Sequence, residues 1–424
     1  MMKKILSIVL SFLSIVGICS CGKGDGVYNP SENKTYFVED VVREDMIFDT
    51  ETLFAETTSY ETLSYGALRQ NMSAIKFQSA PYPAKNLEST QTFAVLGVPT
   101  TKMPKGGYPA IVLLHGGAGQ VYPAWVKYWT DKGYVAIAPD MFGNELNKNL
   151  SKKVNPNGGP DETHSGSIND DPATPQNSWV YHCVTNAIRC NNILRSLDYV
   201  NKNQIGITGI SWGGYITCIV AGVDKRFEAF APVYGAGYIY DAPKWSGAYG
   251  GVNRDAWISA YDPSSYLPYA TKPMLFVSGI DDNCFTVEQR QTSADLVKGK
   301  TFYSQRYNFE HGYFWDKTYE IYAFMQHILR GEDTVIDLKS VSYANGKAYV
   351  ELGNPEKVES MQLVYTTDEF LNSFNVTFET QEVAVQDGVI EVTLPQGTTA
   401  FTFECGNMDI DWDFKMSSQI VIIE

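Results

Sequence analysis

The segment that most restricts the fold is Gly209-Ile210-Ser211-Trp212-Gly213-Gly214. It sits between a short apolar run at residues 205–208 and an apolar stretch at residues 215–220. A serine on a tight strand-to-helix turn is lifted clear of both elements. Glycines on either side leave room for the two backbones to cross. The hydroxyl then stands at a helix N-terminus, where amide dipoles favour developing negative charge. The segment predicts a strand, a sharp turn and a helix in that order, with Ser211 a candidate nucleophile.

Further apolar runs extend the pattern. Residues 110–114 and 134–138 are continuous, and residues 274–277 are a shorter run. Short apolar runs bounded by glycine and proline suit parallel strands covered on both faces. Across residues 180–200, apolar positions such as Val184, Ile188 and Leu194 keep helical spacing. Strands alternating with helices predict a doubly wound α/β unit with a mostly parallel sheet. Residues 144–178 interrupt it with Asn, Gly, Pro, Asp and Ser, and a loop of that length suits a lid or rim.

A serine nucleophile needs a base, and the base needs an orienting group. His311 comes late in the chain, after a strand-like stretch at residues 302–309. Asp281 and Asp282 follow the run at 274–277, and Asp282 is favoured with Asp281 as the alternate. The order serine, aspartate, histidine fits a nucleophile carried on such a turn. A second set of amides should follow the first long strand. His115-Gly116-Gly117-Ala118-Gly119 stands there. The expected oxyanion donors are the N–H of Trp212 and one from Gly116 to Ala118, with Gly117 chosen. His115 reads as structural, and His182 and His327 as ordinary helix residues. His164 lies in the long loop and reads as exposed. Trp179 and Tyr181 are candidates for stacking on substrate, with buried packing as the equal alternative.

These motifs resemble the α/β-hydrolase superfamily. Within it the chain is similar to exported bacterial esterases of the acetyl xylan esterase-like and dienelactone hydrolase-like kind. The resemblance covers residues 92–329. It is carried by the run Tyr108 to Gly117, by Trp125-Val126, by Gly133 to Asp140, by Ile207 to Tyr215, by Pro232 to Gly235 and by Glu310-His311-Gly312. It implies acyl transfer without metal or cofactor, with Ser211, His311 and Asp282 as triad, and removal of a small acyl group, acetyl, from a polysaccharide or oligosaccharide. Dienelactone hydrolases place cysteine where Ser211 stands. Deacetylases of the acetyl xylan and cephalosporin kind place Gln and Glu where this chain has Trp212 and Gly312. A serine peptidase of the prolyl oligopeptidase type and a non-catalytic scaffold are the alternatives. The propeller of the oligopeptidases has no room before the first motif.

A length of 424 residues exceeds what one core usually fills, so two domains are expected, at 36–330 and 331–424. After residue 331 the runs shorten and alternate. Asn345-Gly346 reads as a hairpin turn, and residues 361–365, 390–394, 401–405 and 418–424 read as strands. The expectation is an α/β-hydrolase domain followed by a small all-β sandwich. This last part holds 17 acidic and 4 basic residues, so most of the net charge of −15 lies there. Such a surface repels phosphate, which excludes a nucleic-acid binder. Residues 409–413 superficially resemble a calcium loop but lack its glycine and distal glutamate, so no calcium is expected.

The chain opens Met-Met-Lys-Lys, continues apolar to Ile18, and reaches Cys19-Ser20-Cys21-Gly22. A basic start, a short apolar core and small residues describe an export signal over residues 1–20. Ile18 to Cys21 looks like a bacterial lipobox, with Cys21 the lipidated residue and 21–35 a tether. The expectation is an outer-membrane lipoprotein, attached to the membrane by lipid. The remaining cysteines follow no disulfide or metal spacing.

Overall fold

The computed structural model describes residues 27–32, 36–55, 58–162, 171–241, 253–369, 376–407, 411 and 413–423. The signal segment, Cys21 and His164 lie outside them, as do most of the tether and of residues 409–413. No helix among the described residues is long and apolar enough to cross a membrane.

The first half alternates as expected. It contains α1 (Thr50–Ala55), β1 (Tyr60–Leu63), β2 (Met72–Gln78), β3 (Gln91–Gly97), β4 (Tyr108–Leu114), α2 (Pro123–Asp131) and β5 (Val135–Pro139). After the hairpin β6 (Asn144–Leu146) and β7 (Lys152–Val154) come α3 (Trp179–Ser196), β8 (Val200–Ile210), α4 (Trp212–Val223), β9 (Ala229–Val233) and α5 (Arg254–Tyr261). The α/β region closes with β10 (Met274–Gly279), α6 (Val287–Asp295), β11 (Thr301–Arg306) and α7 (Tyr319–Arg330). Strands β4, β5, β9 and β10 are buried at every position, the signature of a sheet sandwiched between helices. Six strands run parallel in the order β5-β4-β8-β9-β10-β11, and β3, β2 and β1 continue antiparallel beyond β5.

Side-chain caps start helices α3, α5 and α6, with Asn253 accepting from Ala256 N at 3.1 Å on α5. Ser178 Oγ accepts from Val180 N at 3.1 Å at the start of α3, and Thr286 and Gln289 form a capping box on α6. β8 starts earlier than its apolar run, because Lys202 and Asn203 are exposed while Val200 still pairs with Tyr108. The long loop holds the β6–β7 hairpin, whose β7 positions are all exposed and carry no apolar alternation to betray a strand.

The C-terminal strands are β12 (Leu338–Ala344), β13 (Lys347–Leu352), β14 (Ser360–Thr366), β15 (Glu379–Glu382), β16 (Val389–Thr393), β17 (Ala400–Gly406), β18 (Lys415–Ser417) and β19 (Val421–Ile422). The expected Asn345-Gly346 turn joins β12 to β13 with φ of 50° and 75°, the mirror-image turn that favours this pair. β12, β13 and β16 form a separate three-stranded sheet. Val350, Ile390 and Val392 face inward with Leu363, Phe401 and Phe403, giving a small two-layered β region. Its second layer is not detached. β18 pairs antiparallel with β11, and β17, β14 and β15 follow, so one sheet of fourteen strands runs through the molecule.

Candidate active site

Ser211 lies between β8 and α4 with φ 57° and ψ −117°, a conformation in which a side chain is strained. Its N–H is held by the Val233 carbonyl at 2.9 Å. The glycines around it are explained by contact. A Cβ on Gly213 would stand 2.1 Å from the Leu114 carbonyl oxygen, and one on Gly209 would stand 2.2 Å from that of Gly213. Neither backbone can yield, so β8, β4 and α4 approach this closely only through glycine.

The two partners expected for Ser211 are in place. His311 Nε2 is 2.9 Å from Ser211 Oγ, and His311 Nδ1 is 2.7 Å from Asp282 Oδ2. Asp282 is buried, whereas Asp281 is exposed, which selects between the two candidates. The other carboxylate oxygen, Oδ1, accepts the N–H groups of Cys284 at 2.6 Å and Phe285 at 2.8 Å. The Tyr234 ring lies 4.3 Å from that of His311, and its hydroxyl donates to the Glu310 carbonyl at 2.7 Å. A strand end carries each member, with β8 before Ser211, β10 before Asp282 and β11 before His311.

Burial alone would push the Asp282 carboxyl up. The His311 hydrogen bond, the Arg290 charge and the Phe285 amide outweigh it and hold the group below its ordinary value. Arg290 is itself fully buried and donates to the Phe285 carbonyl at 2.7 Å. Burial pulls His311 down, but its bonds to Asp282 and Cys284 carry it up to about 9. The carboxylate therefore stabilises an imidazolium, as a general base requires.

The glycine loop after β4 lies against the serine turn. A Cβ on Gly117 would meet Trp212 Cδ1 at 2.8 Å, and one on Gly116 would meet the Ile210 carbonyl oxygen at 2.6 Å. The expected donor segments, at Gly117 and Trp212, are thus brought together. His115 is buried and accepts the Met141 N–H at 3.0 Å, the structural role expected of it. His182 and His327 are also tied into helix packing, by the Gln176 carbonyl and the Tyr36 hydroxyl.

Trp179 and Tyr181 need correction as stacking residues. Trp179 is 1% exposed and packs edge-on against Trp212 at 5.5 Å, so it offers no face to a ligand. The apolar start of α3 has drawn it into the core. Tyr181 stacks on Phe48 at 5.4 Å, beside a cleft lined by Asp49, Gln78, Gln176 and Arg189 that contains no triad residue.

Several site residues carried no signal in the sequence. Lys152 of β7 donates to the carbonyls of Ala118 and Gly119 at 3.1 and 3.3 Å. Glu162 accepts the Ala118 N–H. Tyr313 donates to the Gly117 carbonyl at 3.1 Å. Each reaches the glycine loop from a distant part of the chain. The long loop does form part of the site's rim, through Lys152 and Glu162.

Comparison with known proteins agrees with this architecture. Among solved structures, an acetyl xylan esterase from Paenibacillus sp. R4 superposes with a TM-score of 0.52 at 18% identity, covering 69% of this chain and 96% of its own. Acetyl xylan esterase 1 from Thermoanaerobacterium sp. JW/SL YS485 gives 0.52 at 13% identity with the same coverage. At these identities the likeness concerns the fold, which is that of an α/β-hydrolase. No curated protein matches the sequence. Residues 94–328 match the dienelactone hydrolase family, more than half of the chain and every member of the Ser211–His311–Asp282 chain. The chain therefore belongs to the dienelactone hydrolase family.

Proposed function

We propose that this protein is a serine carboxylic-ester hydrolase that removes acetyl groups from polysaccharide or oligosaccharide, working from a membrane surface to which lipid on Cys21 holds it. The observation that carries the catalytic reading is the unbroken chain Ser211 Oγ, His311 Nε2, His311 Nδ1, Asp282 Oδ2, at 2.9 and 2.7 Å. His311 takes the serine proton as Oγ attacks the ester carbonyl carbon, and Asp282 stabilises the imidazolium. The amides of Trp212 and Gly117 receive the developing oxyanion. His311 returns the proton to the departing sugar hydroxyl, and water then hydrolyses the acetyl-enzyme by the same route reversed. The acetyl and carbohydrate parts are supported by the two acetyl xylan esterases of like fold and by the motif resemblance. The lipid anchor is supported by the basic, apolar and Ile18-to-Cys21 segments of the leader.

The test is acetate release from acetylated xylan, measured beside a nitrophenyl ester series of increasing acyl length and an aminoacyl naphthylamide. Release should be fast, fall steeply beyond acetyl, and drop about 10⁴-fold or more in Ser211→Ala. Equal activity in Ser211→Ala would overturn the nucleophile. Turnover of nitrophenyl acetate with inert xylan would overturn the substrate, and preference for the naphthylamide would replace it with a peptide.

A further inference from the structure

One thiol stands beside the triad. Cys284 lies two residues beyond Asp282 on the loop that follows β10, and its Sγ, an Asp282 carboxylate oxygen and a His311 ring nitrogen all lie within 4.8 Å of one another. The other described cysteines outside the leader, Cys183, Cys190, Cys218 and Cys405, are buried, whereas Cys284 is half-buried and the His311 side chain is 17% exposed. An ion can therefore reach this cluster from solvent. The carboxylate is already oriented, because Oδ1 is fixed by the Cys284 and Phe285 amides and Oδ2 faces the imidazole.

We propose that Asp282, Cys284 and His311 form an inhibitory binding site for a divalent metal ion that accepts sulfur, nitrogen and oxygen ligands, with Zn²⁺ as the type. One sulfur, one imidazole nitrogen and one carboxylate oxygen are the ligand types of a tetrahedral zinc site, with water in the fourth position. At ordinary zinc–ligand lengths the 2.7 Å separation of His311 Nδ1 and Asp282 Oδ2 must widen by roughly half an ångström, which a side-chain rotation supplies. The ion takes the place of the Nδ1 proton. The Cys284 thiol loses its proton to solvent and binds as thiolate, while the neutral imidazole carries its single proton on Nε2 instead of Nδ1. Net, two protons are released per ion bound where His311 starts as imidazolium, and one where it starts neutral. Nε2 then has no lone pair for Ser211, so the base is lost while the rest of the site stays intact. The inference concerns regulation of the triad and rests on the esterase reading only for its kinetic readout.

The experiment titrates the purified chain and its Cys284→Ala variant with ZnCl₂, with MgCl₂ as the hard-cation control, following nitrophenyl acetate hydrolysis. Inhibition is taken as a ratio within each protein, so a change in basal rate cancels. Zn²⁺ should inhibit the parent reversibly, chelator should restore it, Mg²⁺ should not act, and Cys284→Ala should need about tenfold more Zn²⁺ or beyond. A parallel titration with Co²⁺ reads the thiolate-to-cobalt absorption band, which needs no turnover and should vanish in Cys284→Ala. Equal Zn²⁺ sensitivity of the two proteins, or no thiolate band in the parent, overturns the site. A Cys284-dependent band in a chain that hydrolyses no ester would keep the site and overturn the esterase reading instead.

Discussion

The Lys152 ammonium donates to the Ala118 carbonyl oxygen at 3.1 Å, joining the β6–β7 hairpin to the glycine loop beside Ser211. Three tethers now act on that loop, since Tyr313 holds Gly117 and Glu162 holds the Ala118 amide. A loop whose carbonyls are pinned presents its amides at fixed positions, and preorganised donors are what lower the barrier of acyl transfer. Replacing Lys152 by Ala should lower kcat on nitrophenyl acetate by about tenfold and change KM less, because the lost order matters most where charge develops. An unchanged kcat in a folded variant would remove the hairpin from catalysis.

Gly213→Ala should not yield a folded protein. The added methyl would meet the Leu114 carbonyl oxygen at 2.1 Å, and that oxygen belongs to buried strand backbone that cannot give way. The expected cost exceeds about 4 kcal/mol. Gly66→Ala is the control, since nothing lies within 4 Å of its Cβ position. That variant should unfold within about 0.5 kcal/mol of the parent in urea.

A buried carboxylate gives the fold a pH dependence. Burial pushes Glu320 on α7 up to about 7, against the pull of Arg306, which lies 3.5 Å away, and of Ser304, which donates at 2.9 Å. The folded value is raised, so the folded state holds the proton more tightly than the unfolded chain. The stability this contributes is complete below the ordinary glutamate value and is lost as pH rises toward 7. Glu320→Gln keeps the neutral form at every pH. Its Tm relative to the parent should therefore rise between pH 4.5 and 8, which calorimetry at a series of pH values can follow. A constant difference would remove Glu320 as the titrating group.

Cutting the chain after Arg330 should expose more than a linker. The Gln305 N–H would lose Ser417 Oγ at 2.8 Å, the Tyr307 N–H would lose Glu404, and Arg306 would lose Asp413. Ile280 and Val287 would lose Val364, Phe378, Ala400 and Ile420, with which they form a small core. An open strand edge beside exposed apolar surface invites association. Size-exclusion chromatography should find the shortened chain aggregated. A monomer that retains esterase activity would show that the β region is dispensable.

What could be read in advance follows from range. Ser211 and its glycines were legible because the strained turn, the strand before it and the helix after it are neighbours in the chain. β4, β5 and β10 were legible because burial on both faces leaves an unbroken apolar run. Asp282 was favoured by its place after the strand, but burial was needed to set Asp281 aside, since the two do not differ in chemistry. Lys152, Tyr313 and Arg290 left no trace, because a lysine in a polar loop looks the same whether it meets water or a carbonyl. Trp179 stayed open for a related reason, as an aromatic at a helix start suits a cleft or a core equally well. The pairing of β18 with β11 was also hidden, since alternation tells which face of a strand is buried and nothing of which edge it will find.

The backbone at Ser211 has a final consequence. A residue with a side chain at φ 57° and ψ −117° holds strain of roughly 1–3 kcal/mol that glycine would release. Ser211→Gly should melt above the parent and hydrolyse nothing. On the proposed mechanism, selection for stability alone would favour glycine at 211, and the serine kept there exchanges stability for reactivity.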